Sequence, residues 1–302
     1  MIDWLVYWFM LPACILIAST AMLTGISGTA MLTPFLILAF PAIRVPTLSP
    51  AQAVGMALFT EFFGFVSGWA GYSKAGLIDY KTGWKLIRVG VPAIIVFSLL
   101  SRYVPSILLK GIYGVMMIAL ASYLSLTAIS SVRNRELKKL PESVQRMPRI
   151  AEALEERVVI TRAGTEYRYR VCDQNRGYLI TTAGCAMEGL VSVGLGELLM
   201  PNLVKRCKIP VAVSAATSVF VIAVTVLSGS VTAILALLQQ GGLDAVPWGL
   251  VIYTIPGAVI GGQLGSRFQG RISSATTERI IAVLFAVVGV AFFATVVSAL
   301  IR

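Results

Sequence analysis

Long runs without a charged side chain constrain this chain more than any other feature. Trp4–Ile43 is 40 residues free of Asp, Glu, Lys and Arg, Ile209–Leu243 is 35, and Gly111–Val132, Ala245–Ser266 and Ile280–Ile301 are 22 each. About 20 apolar residues span the hydrocarbon core of a bilayer as a helix. Only 13% of the 302 residues are charged, against about 25% in soluble domains. Half of the acidic and 11 of the 25 basic residues fall in 131–177, so the remainder cannot cover a water-facing surface. The chain therefore reads as an all-α integral membrane protein. Trp4, Tyr7 and Trp8 read as an interfacial aromatic belt.

The composition also excludes functions. There is no histidine, which removes His-based acid–base and nucleophilic catalysis and most zinc sites. An enzyme is disfavoured, and no metal or cofactor is expected. The four cysteines have neither metal-like spacing nor a disulfide framework and are expected to be free thiols. The net charge of +11 is not a nucleic-acid signature, because the excess lies beside membrane segments, where cytoplasmic loops concentrate Lys and Arg.

Ten membrane segments are expected: 4–24, 28–41, 50–72, 83–101 and 106–129, then 177–193, 196–206, 210–238, 247–266 and 277–300. The second of each five is too short to cross about 30 Å of hydrocarbon at about 1.5 Å per residue. The turns before these short segments are alike: Gly25-Ile26-Ser27-Gly28-Thr29 with Pro34 beyond, and Ser192-Val193-Gly194-Leu195-Gly196-Glu197 with Pro201 beyond. Aligning the prolines and then Ser67-Gly68 with Ser228-Gly229 gives a weak internal repeat. The expected organisation is residues 1–130 and 177–302 as two inverted-topology five-segment repeats with short interrupted helices. Between them lies a cytoplasmic helix/β-hairpin insert, 131–176. Loop charges agree with the inversion. Lys74 and Lys81, Lys205, Arg206 and Lys208, and Arg267 and Arg271 fall inside; Arg44 and the loop 239–246 fall outside, with Arg102 as an exception. Both termini are then outside a cell (inner or plasma) membrane. Within the insert, Arg149–Glu156 reads as a helix and Val158–Thr161 with Tyr167–Val171 as a hairpin. It is either an ordered linker or a regulatory, partner-binding element.

Inverted repeats with helices interrupted near mid-membrane are a recurring transporter design. A helix that starts inside the membrane exposes unpaired N–H groups at the positive end of its dipole. Two such starts facing each other attract an anion without a fixed cation. The candidate binding residues are Gly25, Ser27, Gly28, Thr29, Gly194 and Gly196; each glycine also has a plain reading as a close-packing residue. Thr217 and Ser218 are candidate hydroxyl donors, or simply bond their own helix. Gln52 is a ligand or a cap. Glu61, Glu188 and Glu197 are costly charges inside apolar segments. Glu61 and Glu197 are candidates for proton coupling or gating, Glu197 also as a helix cap. The residues alone imply passage of a small anion.

Several of these stretches resemble the TauE/SafE sulfite exporter family, the TSUP permeases. The resemblance rests on Gly-Ile-Ser-Gly-Thr-Ala-Met-Leu-Thr-Pro (25–34), Gly-Glu-Leu-Leu-Met-Pro (196–201), Ala-Ala-Thr-Ser-Val-Phe (215–220), Ser67-Gly68 and Gly76-Leu77-Ile78-Asp79. Their order and spacing carry it over both membrane halves. Ser27 and Thr29 stand where the family is richer in glycine, and the insert exceeds the family's short central loop. The resemblance implies permeation, commonly outward, of sulfur-containing or organic anions such as sulfite, thiosulfate or sulfoacetate. An anion channel, an intramembrane enzyme using Glu or Ser, and a scaffold acting through the insert are the alternatives.

Overall fold

The computed structural model describes residues 4–24, 26–137, 156–162, 164–170, 174–268 and 274–301. After a 3-10 turn at Trp4–Tyr7, the helices are α1 (Met10–Thr24) and α2 (Thr29–Pro34, continued by a π turn over Phe35–Ala39 and by Phe40–Ala42). They continue with α3 (Pro50–Ala75), α4 (Tyr80–Leu100) and α5 (Ser106–Leu137). A hairpin, β1 (Glu156–Ile160) and β2 (Glu166–Arg170), separates these from α6 (Gln174–Val191), α7 (Leu195–Pro201 with a π turn over Asn202–Arg206), α8 (Val211–Gly241), α9 (Trp248–Phe268) and α10 (Ser274–Ile301). Every expected segment carries a helix. Among the described residues, five are long and apolar enough to cross a membrane: Pro50–Ala75, Tyr80–Tyr103, Ser106–Tyr123, Val211–Ala245 and Ala282–Ala299. The short apolar helices Thr29–Ala42 and Leu195–Val204 match the two truncated segments.

Local chemistry sets the ends. Ser49 and Gln52 form a reciprocal capping box at the start of α3, with Pro50 at the first helical position, where its missing N–H costs nothing. Gly76 closes α3 in the left-handed conformation, φ 71°. Asp79 caps α4 by accepting the Thr82 N–H at 3.0 Å.

Helix pairing follows a simple rule. The extensive contacts are α1 with α9, α4 with α6, α3 with α8, α3 with α9, α4 with α8, and α5 with α10. Replacing each helix by the one five places away in order turns this set into itself. The α1–α9 contact shows what small residues achieve. A Cβ on Gly257, Gly261 or Gly265 would lie 2.6, 2.5 and 2.6 Å from the carbonyl oxygens of Leu11, Ile15 and Ser19. Glycine at every fourth position thus lets the two backbones touch. Helix α10 exposes Val283, Val287, Val290 and Phe293, an apolar stripe at helical spacing suited to lipid.

One expectation is corrected only at its last residue, and another at Cys207. The helix expected over Arg149–Glu156 lies outside the described residues except for Glu156, which opens β1 and pairs with Arg170. Cys14 and Cys185 are free, but Cys207 is disulfide-bonded. Disulfides depend on proximity in space, which spacing along the chain does not encode.

The hairpin is anchored to the α3–α4 turn. Arg157 Nη1 donates to Asp79 Oδ1 and Oδ2 at 3.0 and 2.8 Å and to Thr82 Oγ1 at 2.6 Å, and the Tyr169 hydroxyl donates to Asp79 Oδ2 at 2.8 Å. The Arg162 N–H donates to the Ala75 carbonyl at 3.1 Å. Burial pushes the Asp79 carboxyl up, but the Thr82 hydroxyl and N–H, the Tyr169 hydroxyl and the Arg157 guanidinium outweigh it and hold Asp79 below the usual carboxylate range.

Candidate functional site

The starts of α2 and α7 meet in the protein interior, and carboxylates fill the space between them. Thr29 at the start of α2 and Gly194 before α7 are reached by chain that has just left α1 and α6. Ser27, Thr29, Ser192, Glu188 and Glu197 are completely buried, and Glu61 is 5% exposed. At the first start, Glu61 Oε1 accepts the Ser27 hydroxyl at 2.6 Å, the Gly28 N–H at 2.7 Å and the Thr29 N–H at 3.4 Å. At the second, Glu197 Oε2 accepts the Gly194 N–H at 3.1 Å.

Glu188, on α6, joins the two. Its Oε1 lies 2.9 Å from Thr29 Oγ1 and 3.1 Å from Ser27 Oγ, while its Oε2 accepts the Leu195 N–H at 3.1 Å. One carboxylate thus has an oxygen on each helix start. The Ser27 and Thr29 hydroxyls also contact each other. One turn further along α2, the Thr33 and Ser192 hydroxyls pair at 2.6 Å, a second tie between the halves.

Two of the four N–H groups orphaned at the α2 start therefore point at Glu61, and one at α7 points at Glu188. The donors to the three carboxylates among the described residues are hydroxyls and backbone N–H groups, with no cation among them. Two ionised carboxylates roughly 5 Å apart repel by about 3 kcal/mol even at an effective dielectric constant of about 20. The space between the starts is positive in its backbone and negative in its side chains.

Beside the cluster is a cavity of about 20 Å³ lined by Gly28, Glu61, Cys14, Ile17, Met22 and Phe65, space for one water and not for a multi-atom anion. On another side a smaller cavity is lined by Thr33, Val54, Lys110, Tyr113 and Val191, which brings a lysine within a few residues of the Thr33–Ser192 pair.

Of the candidate residues, Ser27, Gly28, Thr29, Gly194, Glu61 and Glu197 converge here, and Gly196 is buried in the first turn of α7. Gly25 lies outside the described residues. The recorded bonds of the others run elsewhere. Gln52 caps α3 and donates to the Ala245 carbonyl at 2.9 Å. Thr217 accepts the Asp79 N–H at 3.0 Å, and Ser218 bonds the Ala215 carbonyl of its own helix. The two glycines differ: Gly194 has φ 136°, a conformation only glycine adopts readily, whereas Gly28 has φ −68°, open to any residue. Glu188 is absent from the sequence-derived binding set. A carboxylate in an apolar segment was its only signal, and the internal repeat places no acidic partner opposite it.

A family model described as "Sulfite exporter TauE/SafE" matches residues 10–292. The chain is 24% identical over 276 residues to the "Probable membrane transporter protein YunE" of Bacillus subtilis (strain 168), covering 91% of this chain and 93% of that protein. No solved structure matches it.

Proposed function

The chain belongs to the sulfite exporter TauE/SafE family, and from that premise we propose that it is a secondary transporter exporting small sulfur-containing or organic anions such as sulfite, thiosulfate or sulfoacetate. Family and relative point to a multi-pass membrane permease rather than an enzyme. The observation that carries the finer reading is the placement of Glu188, whose two oxygens engage both helix starts. An anionic group of two or more oxygens is what that space is built to receive.

In this reading residues 1–130 and 177–302 are inverted repeats, supported by a pairing pattern that is unchanged when helices five apart are exchanged. Substrate oxygens take the N–H groups of Gly28, Thr29 and Leu195 and the hydroxyls of Ser27 and Thr29. Each helix start contributes about half a positive charge, and no lysine is needed at the seat. Glu61 and Glu197 act as gates, each covering N–H groups of one start until substrate displaces it. Lys110 and Tyr113 line the approach from one side. The insert lies in the cytoplasm, both termini outside.

The test is efflux of sulfite, thiosulfate and sulfoacetate from vesicles loaded with each, with and without a pH gradient. Saturable efflux of at least one is expected, reduced more than tenfold by Thr29→Val. Rates for all three equal to those of protein-free vesicles would remove the proposal, and flux that never saturates would replace a transporter with a channel.

A further inference from the structure

We propose that Glu188 is the protein's built-in stand-in for its cargo: its carboxylate occupies the anion seat between the two helix starts when the seat is empty, and yields it by taking up one proton, which then travels with the anion. This rests on the transport reading above and names its coupling.

The first support is shape. Glu188 Oε1 takes the hydroxyl side of the α2 start and Oε2 takes the Leu195 N–H of the α7 start. A substrate oxyanion bridging the same donors cannot be there at the same time. Two ionised groups in one buried seat also repel strongly when no cation lies between them. An ionised Glu188 and a bound substrate are therefore mutually exclusive, and a protonated Glu188 is compatible with substrate.

The second support is a count of protons. Ser27 Oγ lies within hydrogen-bonding distance of Glu61 Oε1 and Glu188 Oε1, and Thr29 Oγ1 of Glu188 Oε1. These three contacts need three hydrogens, and the two hydroxyls supply two. The contact between the hydroxyls themselves raises the need to four. Uptake of a proton by Glu188 Oε1 supplies a third, donated to Ser27 Oγ while Ser27 donates to Glu61, so the ionised cluster is short of hydrogens and one proton relieves part of the shortage. The cluster has a place for a proton that its hydroxyls cannot fill.

The third support is independent of the seat's own bonds. Glu61 Oε2 and Glu197 Oε1 are buried with no hydrogen-bond partner. Unmatched acceptors on both flanks leave the cluster short of donors, and a proton is the donor it can take up. The titratable groups facing Glu188 are Glu61 from α3, Glu197 from α7, Tyr113 from α5 and Cys185 one turn back on α6. None of them carries a positive charge that would hold Glu188 ionised.

The balance per cycle follows. One proton binds Glu188 and one anion enters; both leave on the other side, and Glu188 returns ionised to the seat. A monoanion then moves without net charge, and a dianion carries one negative charge.

The experiment measures equilibrium binding of sulfoacetate, which keeps its charge from neutral to alkaline pH, to the purified full chain across that range, with proton uptake followed by a pH dye. For the parent protein, affinity is expected to fall about tenfold per pH unit on the alkaline side, as one-proton linkage requires, with one proton taken up per anion bound. Glu188→Gln, which is neutral at every pH, should bind with a flat profile, take up no proton, and bind at least tenfold more tightly than the parent at the alkaline end. If Glu188→Gln keeps the parent slope, or if Glu61→Gln alone abolishes it, this inference is overturned while the transport reading stands. If the parent neither binds nor moves any of the anions, the transport reading itself falls. Should Glu188→Gln not fold, Glu188→Asp serves: its shorter carboxylate no longer reaches both starts, so alkaline affinity should rise severalfold, and unchanged affinity counts against the stand-in.

Discussion

Arg157→Met tests whether a single buried ion pair docks the hairpin onto the membrane helices. Arg157 Nη1 bridges both Asp79 oxygens and Thr82 Oγ1, and the two charged side chains are 10% and 6% exposed. Removing one partner of a buried pair costs about 3–5 kcal/mol. Asp79 keeps the Thr82 N–H, the Thr82 hydroxyl and the Tyr169 hydroxyl, which places the expected loss near 3 kcal/mol, the low end of that range. At about 1.4 kcal/mol per tenfold, hairpin opening should become more than a hundredfold more frequent. Amide hydrogen exchange over 156–170 in the detergent-purified full chain reads this directly, with amides of α8 as the internal standard. Arg168→Ala is the control, since its bond to Glu166 is exposed and such pairs contribute about 0–1 kcal/mol. Because the folded Asp79 carboxyl is held below its unfolded value, its contribution is fully present above about pH 4 and is lost only as pH falls through the lower folded value. Hairpin protection, corrected for intrinsic exchange, should therefore be flat from pH 8 to 5. Equal protection in Arg157→Met and the parent, or a loss of protection between pH 7 and 5, would refute the argument.

Gly194→Ala should lower thermal stability and anion binding, because φ 136° costs a substituted residue about 1–3 kcal/mol and its Cβ would lie 3.0 Å from that of Met187. Gly28→Ala should leave stability within about 0.5 kcal/mol, since its added carbon meets only ordinary contacts at 3.5 Å and beyond; equal melting shifts for the two would refute the distinction. Gly261→Val should abolish folding yield in the membrane, its Cβ falling 2.5 Å from the Ile15 carbonyl, and normal expression of a monodisperse protein would show that the α1–α9 contact tolerates separation.

The helices were legible because a bilayer imposes length and apolarity together: each expected segment carries one. The two helix starts were legible because a glycine turn, a truncated segment and a proline recur in order. What periodicity could not say is where a polar side chain inside an apolar run points. Thr217 and Ser218 carry the same hydroxyls as Ser27 and Thr29, and Gln52 is equally polar, yet Gln52 bonds the Ala245 carbonyl, Thr217 the Asp79 N–H and Ser218 its own helix. Glu188 lies 161 positions from Ser27, and Arg157 lies 78 from Asp79; no local pattern announces either meeting. The hairpin was visible as two β-rich runs around Ala163-Gly164, but its anchoring was not.

The partners of α1 and α6 carry a consequence for how such a molecule can be assembled and can move. Helix α1 lies backbone to backbone with α9, and α6 packs against α4, so these unions join the two halves of the chain. Cutting between residues 130 and 177 would give two pieces, each lacking the surface that its own first helix needs. They should survive only when made together. Rocking motions should likewise carry interlocked pairs drawn from both pieces, instead of swinging one piece as a block against the other.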